Sequence, residues 1–463
     1  MFQQAEVVNY YREIFDMTKN AEYPGALDRE FVFPKGDPGV TVVRLSAVLA
    51  DLGLEPMPGL VKIISVANSI DSAGEPDGGL YVCGYFGPFE GPRTHDYFIV
   101  RITSDTVPDR VFGLKLGQQS DDLLGQPMWR FISDENNGFI MLGGVGTKTL
   151  SFGRLLHDCS PDPDFAKQSG AATKKAPRPG FLQWDLPEQY SEFAGRLGRV
   201  ANFALAKDGF VVAVNAGRAS RTSGLVYRVT LDGQLVNGVF DLRSNIDVEE
   251  DFIVEITTLA SQGEKTIVGG CYYQPVGDYV GLLARVNQDG TLDRTFGDRG
   301  DGIYRFQPKD QGVSIRHLVI QDNGSILAMG NLFHKKEGPV SGKTFIQSFQ
   351  VDGEPGDFFD SVTVDNDCPW EDAFITGDGN LMAWGTGAQD SCLARYLLPG
   401  GQLDKTFGEK GNGYQYHPGG GGSLPAKMIE QKGGKLVVGC NNSMEPGLGA
   451  NMGSMRRYFG GTA

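Results

Sequence analysis

Two stretches of this 463-residue chain read almost alike: LLARVNQDGTLDRTFGDRGDG from Leu282 and CLARYLLPGGQLDKTFGEKGNG from Cys392. Each is followed about 30 residues later by a glycine-led apolar strand, NGSILAMG from Asn323 and GGKLVVG from Gly433. With these as template, the phrase Leu/Pro-Asp-x-x-Phe is found along the whole chain. It occurs at Leu27-Asp28 with Phe31, Pro108-Asp109 with Phe112, Pro161-Asp162 with Phe165, and Val236-Asn237 with Phe240. It continues at Leu292-Asp293 with Phe296, Pro355-Gly356 with Phe359, and Leu403-Asp404 with Phe407. Seven copies at a mean spacing near 63 residues confine the fold to an array of one supersecondary unit.

The unit is built of strands. The glycine-led strand recurs as GGLYVCG, NGFIMLGG, DGFVVAV, EKTIVGG, NGSILAMG, GNLMAWG and GGKLVVG. A second recurring strand, typified by LLARVNQDG, returns as FIVRITSD, SFGRLLHD, LVYRVTLDG, FIQSFQVDG, CLARYLLPG and MRRYFGG. These runs are short, rich in branched and aromatic residues, and bounded by Asp-Gly, Asn-Gly or Gly-Gly, which supply the positive φ of tight hairpins. No strong amphipathic helix separates them, which argues against parallel βαβ units. Units of about 60 residues suit a four-stranded blade better than a solenoid rung. The expected fold is all-β, a seven-bladed β-propeller over residues 25–463, with insertions at about 40–60 and 166–198. A short N-terminal helical extension, residues 1–24, is expected from the apolar face of Val7, Val8, Tyr11, Ile14 and Phe15.

The cut of the repeat also predicts how the array ends. Inside the chain the Arg-bearing strand and the Asp phrase are joined by a tight turn, yet GALDREF near residue 25 and MRRYFGG near the end each lack the other half. Pairing residues about 26–33 antiparallel to about 453–460 would leave no open edge at either end.

The phrases DGTLDRTFGDRGDG and GGQLDKTFGEKGNG resemble the delta-60 repeat of bacterial proteins, and the resemblance extends over nearly the whole chain from about Gly25. It implies a β-propeller and a bacterial origin. It implies no catalytic or binding residues, because the matched positions are structural.

Within the repeat, Phe is expected to fill space between neighbouring blades and Asp to close a turn on its own backbone. An arginine stands in phase before most phrases: Arg101, Arg154, Arg228, Arg285, Arg395 and Arg457. The copy that has Ser348 instead is also the one with Gly356 in place of Asp. This joint loss points to a cross-strand Arg–Asp pair, such as Arg285 with Asp293.

Motifs with chemistry are scarce. GGVGTKT at 143–149 lacks the Gly-Lys-Thr step of a phosphate loop, and the five histidines have no metal-ligand spacing. The acids of VDNDCPWED, Asp365, Asp367, Glu371 and Asp372, lack the calcium-loop pattern and read as a solvated loop. No metal or cofactor is expected. The six scattered cysteines read as structural thiols. A formal charge of −15 argues against nucleic acid or anionic lipid as a partner. No apolar run is long enough for a transmembrane helix. The first 20 residues are not a cleavable signal, so the protein is expected in the cytoplasm, or exported by a route that needs none.

What remains is recognition. The 166–198 insertion carries the basic residues Lys174, Lys175 and Arg178 and the aromatics Trp184, Tyr190 and Phe193, a candidate contact surface for a protein or glycan. The expected function is a monomeric, non-enzymatic recognition or scaffold propeller. The alternative is a propeller enzyme, a hydrolase or lyase, with acidic and arginine residues from different repeats converging on the central channel.

Overall fold

A computed structural model describes residues 23–28, 30–33, 43–53, 59–71, 75–88, 96–117, 130–134, 138–145, 149–156, 158, 160–165, 180–185, 200–217, 222–236, 238–249, 251–274, 279–308, 311–334, 342–359, 369–386, 390–418, 427–441 and 453–460. The expected N-terminal helix lies outside them. The described chain is all-β, its only helices being Leu45–Asp51 and a single 3-10 turn at Arg243–Asn245.

The strands form seven antiparallel sheets, numbered here in chain order. The first strands of sheets one to seven are Gly59–Ile70, Arg130–Asp134, Val200–Ala206, Ile253–Gln262, Gln311–Ile320, Trp370–Ile375 and Met428–Glu430. Each pairs with a glycine-led second strand, and that with an Arg-bearing third, except that Ser348 takes the arginine's place in sheet five. First strands of successive sheets pack on one another, and Met428–Glu430 packs back against Gly59–Ile70. The first strands thus form an unbroken series of contacts that returns to its start. Sheet seven takes its fourth strand from the other end of the chain: Val43–Arg44 pairs with Met455 and Ser454.

The Asp phrase does the work its repetition suggests. In four sheets it bridges the third strand antiparallel, as in Ile102↔Pro108, Leu155↔Pro161, Val229↔Leu235 and Val286↔Leu292. Leu27↔Tyr458 reproduces the same bridge between the two ends of the chain. One oxygen of each aspartate closes the turn: Oδ1 of Asp28, Asp109, Asp162, Asp293 and Asp404 accepts the N–H two residues on, at 2.9–3.1 Å. The other oxygen receives the arginine. Arg101–Asp109 is 2.7 Å, Arg154–Asp162 3.3 Å, Arg285–Asp293 2.7 Å, Arg395–Asp404 3.0 Å and Arg457–Asp28 2.8 Å. In sheet three the aspartate's place is taken by Val236, one residue earlier than the sequence reading put it: the Val236 N–H donates to Arg228 O at 2.8 Å, and Arg228 turns instead to Asp208 at 2.6 Å. At the copy with neither residue, Ser348 and Gly356 lie close together, and a Cβ on Gly356 would stand 2.5 Å from Ser348 Oγ.

The phenylalanines Phe31, Phe165, Phe240, Phe296 and Phe407 are buried. Phe296 lies against Gly353 in the turn of the next sheet, where a Cβ would stand 2.6 Å from its ring. Phe407 makes the same contact with Gly25, and the Gly408 N–H donates to Pro24 O at 2.8 Å. The N-terminal turn thus stands where the next sheet's hairpin would be.

Two stretches read as insertions are partly architecture. Phe181–Asp185, inside 166–198, is the fourth strand of sheet two, reached after a longer excursion than in the other copies. Within 40–60, Val43–Arg44 is a strand and Leu45–Asp51 a helix that buries Leu45, Val48 and Leu49.

The clasps have a pH signature. Burial opposes ionisation of Asp293, but hydrogen bonds from Lys265 and Thr295 and the charge of Arg285 hold its carboxyl well below the usual range. Asp28 is lowered in the same way by Lys435 and Arg457, again against burial. A carboxylate with a depressed folded pKa stabilises fully above its ordinary value near 4 and loses that contribution as pH falls toward the folded value. Asp293→Asn should cost about 3–5 kcal/mol at pH 7, as expected when one partner of a buried pair is removed. Its urea midpoint should also fall less steeply than wild type below about pH 4. A loss under about 1 kcal/mol at pH 7 would show that the clasp is ornamental.

Candidate functional site

The first strands of sheets one, three, four, five and six each break register with the second strand at an extra residue, and that of sheet one does so again between Asn68 and Ile70. The extra residues are Ile64, Ala201, Thr257, Arg316 and Glu371. A bulge of this kind re-aims one side chain and bends its strand. The second strand accommodates it with glycine. A Cβ on Gly84, Gly270 or Gly330 would lie 2.0 Å from the carbonyl oxygen of Lys62, Glu255 or Ser314 on the bulged strand. The glycine of VCGYF, IVGGCYY and LAMGN is thus the footprint of the bulge.

Around the bulges of sheets four and five, chemistry gathers from the first, second and third strands. Thr257 is half-buried and bridges the sheets: its Oγ1 donates to Ile315 O. Beside it, Glu255 accepts the Tyr273 hydroxyl at 3.2 Å on one oxygen, and its other oxygen has no partner among the described residues. Tyr273 stacks on Tyr279 with ring centroids 4.1 Å apart and planes at 10°. Arg316 is exposed, and its guanidinium has no hydrogen bond or ion pair among the described residues. Glu255 and Arg316 nonetheless act on the same two groups, Cys271 and Tyr279, in opposite directions.

The titratable groups here are held far from neutrality. Burial pushes the Cys271 thiol up to about 12, with the Glu255 charge adding to it. Burial and then Glu255 raise Tyr273; burial, Cys271 and Glu255 raise Tyr279. All three stay protonated at pH 7, able to donate hydrogen bonds and to stack, but not to abstract protons.

A second recess opens between sheets six, seven and one. It is a cleft of about 490 Å³ lined by Asn68, Pro76, Gly377, Asp378, Glu430 and the turn Gln431–Gly434. Glu430 accepts the Gly377 N–H at 2.7 Å. Burial raises its carboxyl above the usual range, and neighbouring Asp378 adds to the shift. Asp378, although burial opposes it, is lowered by hydrogen bonds from Thr376 and Asn380 and by Arg395. The two acids are thereby driven apart.

Of the residues expected from sequence to form a contact surface, Trp184 sits in the fourth strand of sheet two, paired with Leu150. Lys174, Lys175, Arg178, Tyr190 and Phe193 lie outside the described residues, as do Asp365 and Asp367. Asp372 of the acidic stretch accepts the Met428 N–H at 2.7 Å and so ties sheet six to sheet seven. Glu255, Arg316, Tyr273, Tyr279 and Glu430 had no repeated phrase to mark them. The glycine opposite the bulge in sheets one, four and five was the one signal in the sequence that could have found these positions.

Among known proteins, no family model and no curated protein matches the chain. Several solved structures align with most of its length. The polysaccharide lyase Uly1 aligns with TM-score 0.48 and 13% identity, covering 86% of this chain and 90% of its own. The β-propeller domain of the Trilobed protease from Pyrococcus furiosus gives 0.41 and 8%, over 82% and 89%. The Dos1 propeller gives 0.41 and 11%, over 87% and 96%. No helix among the described residues is long and apolar enough to cross a membrane.

The bulge account makes a sharp prediction about the glycines. Gly330→Ala should destabilise by about 1–3 kcal/mol, the usual cost of overpacking, while Gly238→Ala, with nothing within 4 Å, should change stability by less than about 0.5 kcal/mol. Equal urea midpoints for the two variants would mean that the bulge does not need its glycine.

Proposed function

We propose that the chain is a seven-bladed β-propeller of the delta-60 repeat type, closed by its own termini, and that it is a recognition module rather than an enzyme. Each of the seven sheets is then a blade, and the inner wall at Glu255, Tyr273, Tyr279 and Arg316 is where a ligand sits. The observation that carries this reading is the pairing of unsatisfied charges with groups whose protons are fixed. Efficient acid–base catalysis calls for a group that titrates near the working pH. Cys271, Tyr273 and Tyr279 are displaced away from it, whereas a guanidinium and a carboxylate oxygen without partners among the described residues are ready to receive a ligand's polar groups. The basic and aromatic residues of the 166–198 segment are proposed separately, from their composition, as a surface for a protein or glycan.

The enzyme reading has one observation in its favour, the cleft at Glu430. One carboxyl raised and its neighbour lowered is the arrangement that assigns acid and base roles to two like groups.

The two readings separate in one experiment. Wild type, the Glu255→Gln/Arg316→Gln double variant and Glu430→Gln are each incubated with a bacterial small-molecule extract, washed, and the retained compounds identified by mass spectrometry. A compound retained by wild type and Glu430→Gln, unaltered, and lost at least about tenfold from the double variant supports the recognition reading. A compound consumed by wild type and untouched by Glu430→Gln supports the enzyme. Identical retention by all three proteins contradicts the inner-wall seat.

A further inference from the structure

We propose that the inner-wall seat between sheets four and five takes a zwitterionic ligand, a free α-amino acid or a close relative, with its carboxylate on Arg316 and its ammonium between Glu255 and the tyrosine pair. The inference rests on the reading of that wall as a binding site and names the ligand's chemical class.

Its basis is a pair of opposite charges that do not meet. Arg316 rises from the bulge of one first strand, and Glu255 stands two residues before the bulge of the next. Thr257 Oγ1 donates to Ile315 O, the residue before Arg316, so the two strands are bound together at this level. Both side chains act on Cys271 and Tyr279, yet no ion pair joins them and neither pairs elsewhere among the described residues. The two opposite charges stand on adjacent first strands that the Thr257 hydrogen bond ties together, yet they make no ion pair with each other. Glu255 accepts the Tyr273 hydroxyl, while Arg316 stands exposed at the bulge.

A ligand that satisfies both must offer an anion to one end and a donor or cation to the other. A guanidinium takes a carboxylate through two parallel N–H bonds. On the other side, the free Glu255 oxygen accepts a strong donor, and the faces of stacked tyrosines favour a cation. A simple carboxylate would leave Glu255 unanswered beside its own negative charge. A simple amine would face Arg316. The zwitterion answers both, and its compact span suits charges that already act on the same neighbours.

The test uses the full chain and the twenty free amino acids, screened by ligand-observed NMR, with affinities of the best binder measured by titration calorimetry. That compound is compared with its N-acetyl derivative, which lacks the ammonium, and its primary amide, which lacks the carboxylate. Both derivatives should bind at least about tenfold more weakly to wild type. Glu255→Gln should erase the preference for the free amine and keep the preference for the acid. Arg316→Gln should do the reverse, and each variant should melt within a few degrees of wild type. If the N-acetyl acid binds as well as the free acid and Arg316→Gln still abolishes binding, the zwitterion is wrong and the seat stands. If no amino acid binds, the proposal is overturned, and the extract experiment decides separately whether the wall is a seat at all.

Discussion

The structure depends on one side-chain pair used five times. Each clasp is an arginine from a third strand meeting an aspartate whose other oxygen closes the following turn. The same arginine also reaches outward: Arg285 donates to Val351 O at 2.6 Å and Arg154 to Leu231 O at 3.2 Å, both in turns of the next sheet. A single guanidinium therefore sets the hairpin within one sheet and its seam with the neighbour. Nearby, Arg285 and Arg457 lie over the rings of Phe296 and Phe31 at 4.9 and 4.6 Å, so the phrase's phenylalanine packs in the same knot. Buried ion pairs gain little net stability over apolar packing, but breaking one is costly, which makes them devices of register more than of strength.

Because the clasp joins positions and not neighbours in sequence, it works equally well between the ends of the chain. Asp28 accepts from Arg457 and Lys435, the Asp28 N–H donates to Arg457 O at 2.7 Å, and the Gly25 N–H donates to Phe459 O. Each contact has an internal counterpart: Asp293 accepts from Arg285 and Lys265, and its N–H donates to Arg285 O at 2.8 Å. The last sheet is held as the fourth is, with loop entropy the only difference between them.

What repeats was legible in the sequence; what differs at equivalent places was not. The Asp phrase, the arginine phase and the joint loss at Ser348 and Gly356 could be read because seven copies supply their own control. The Leu27–Tyr458 bridge followed from the same pattern, but the pairing of Val43–Arg44 with the C-terminal strand did not. The first strands escaped notice, since their inward residues serve the wall and not a shared core and so keep no common pattern. At the bulge, one register position is Thr257, then Arg316, then Glu371. Repetition marks the scaffold, and divergence at a fixed backbone position marks the places free to become specific. Period-two patterning also fails at a bulge, where the extra residue reverses the faces on either side.

The claim that the ends are joined by the internal clasp is tested most directly by a double-mutant cycle on Asp28 and Arg457. Asp28→Asn, Arg457→Gln and the double variant are unfolded in urea beside wild type, with the matching cycle on Asp293 and Arg285 as reference. The account predicts a coupling energy of about 1.5–3 kcal/mol across the termini, similar to that of the internal pair, as for hydrogen bonds between charged groups. Additivity at the termini to within about 0.5 kcal/mol, with coupling retained at the internal pair, would contradict it.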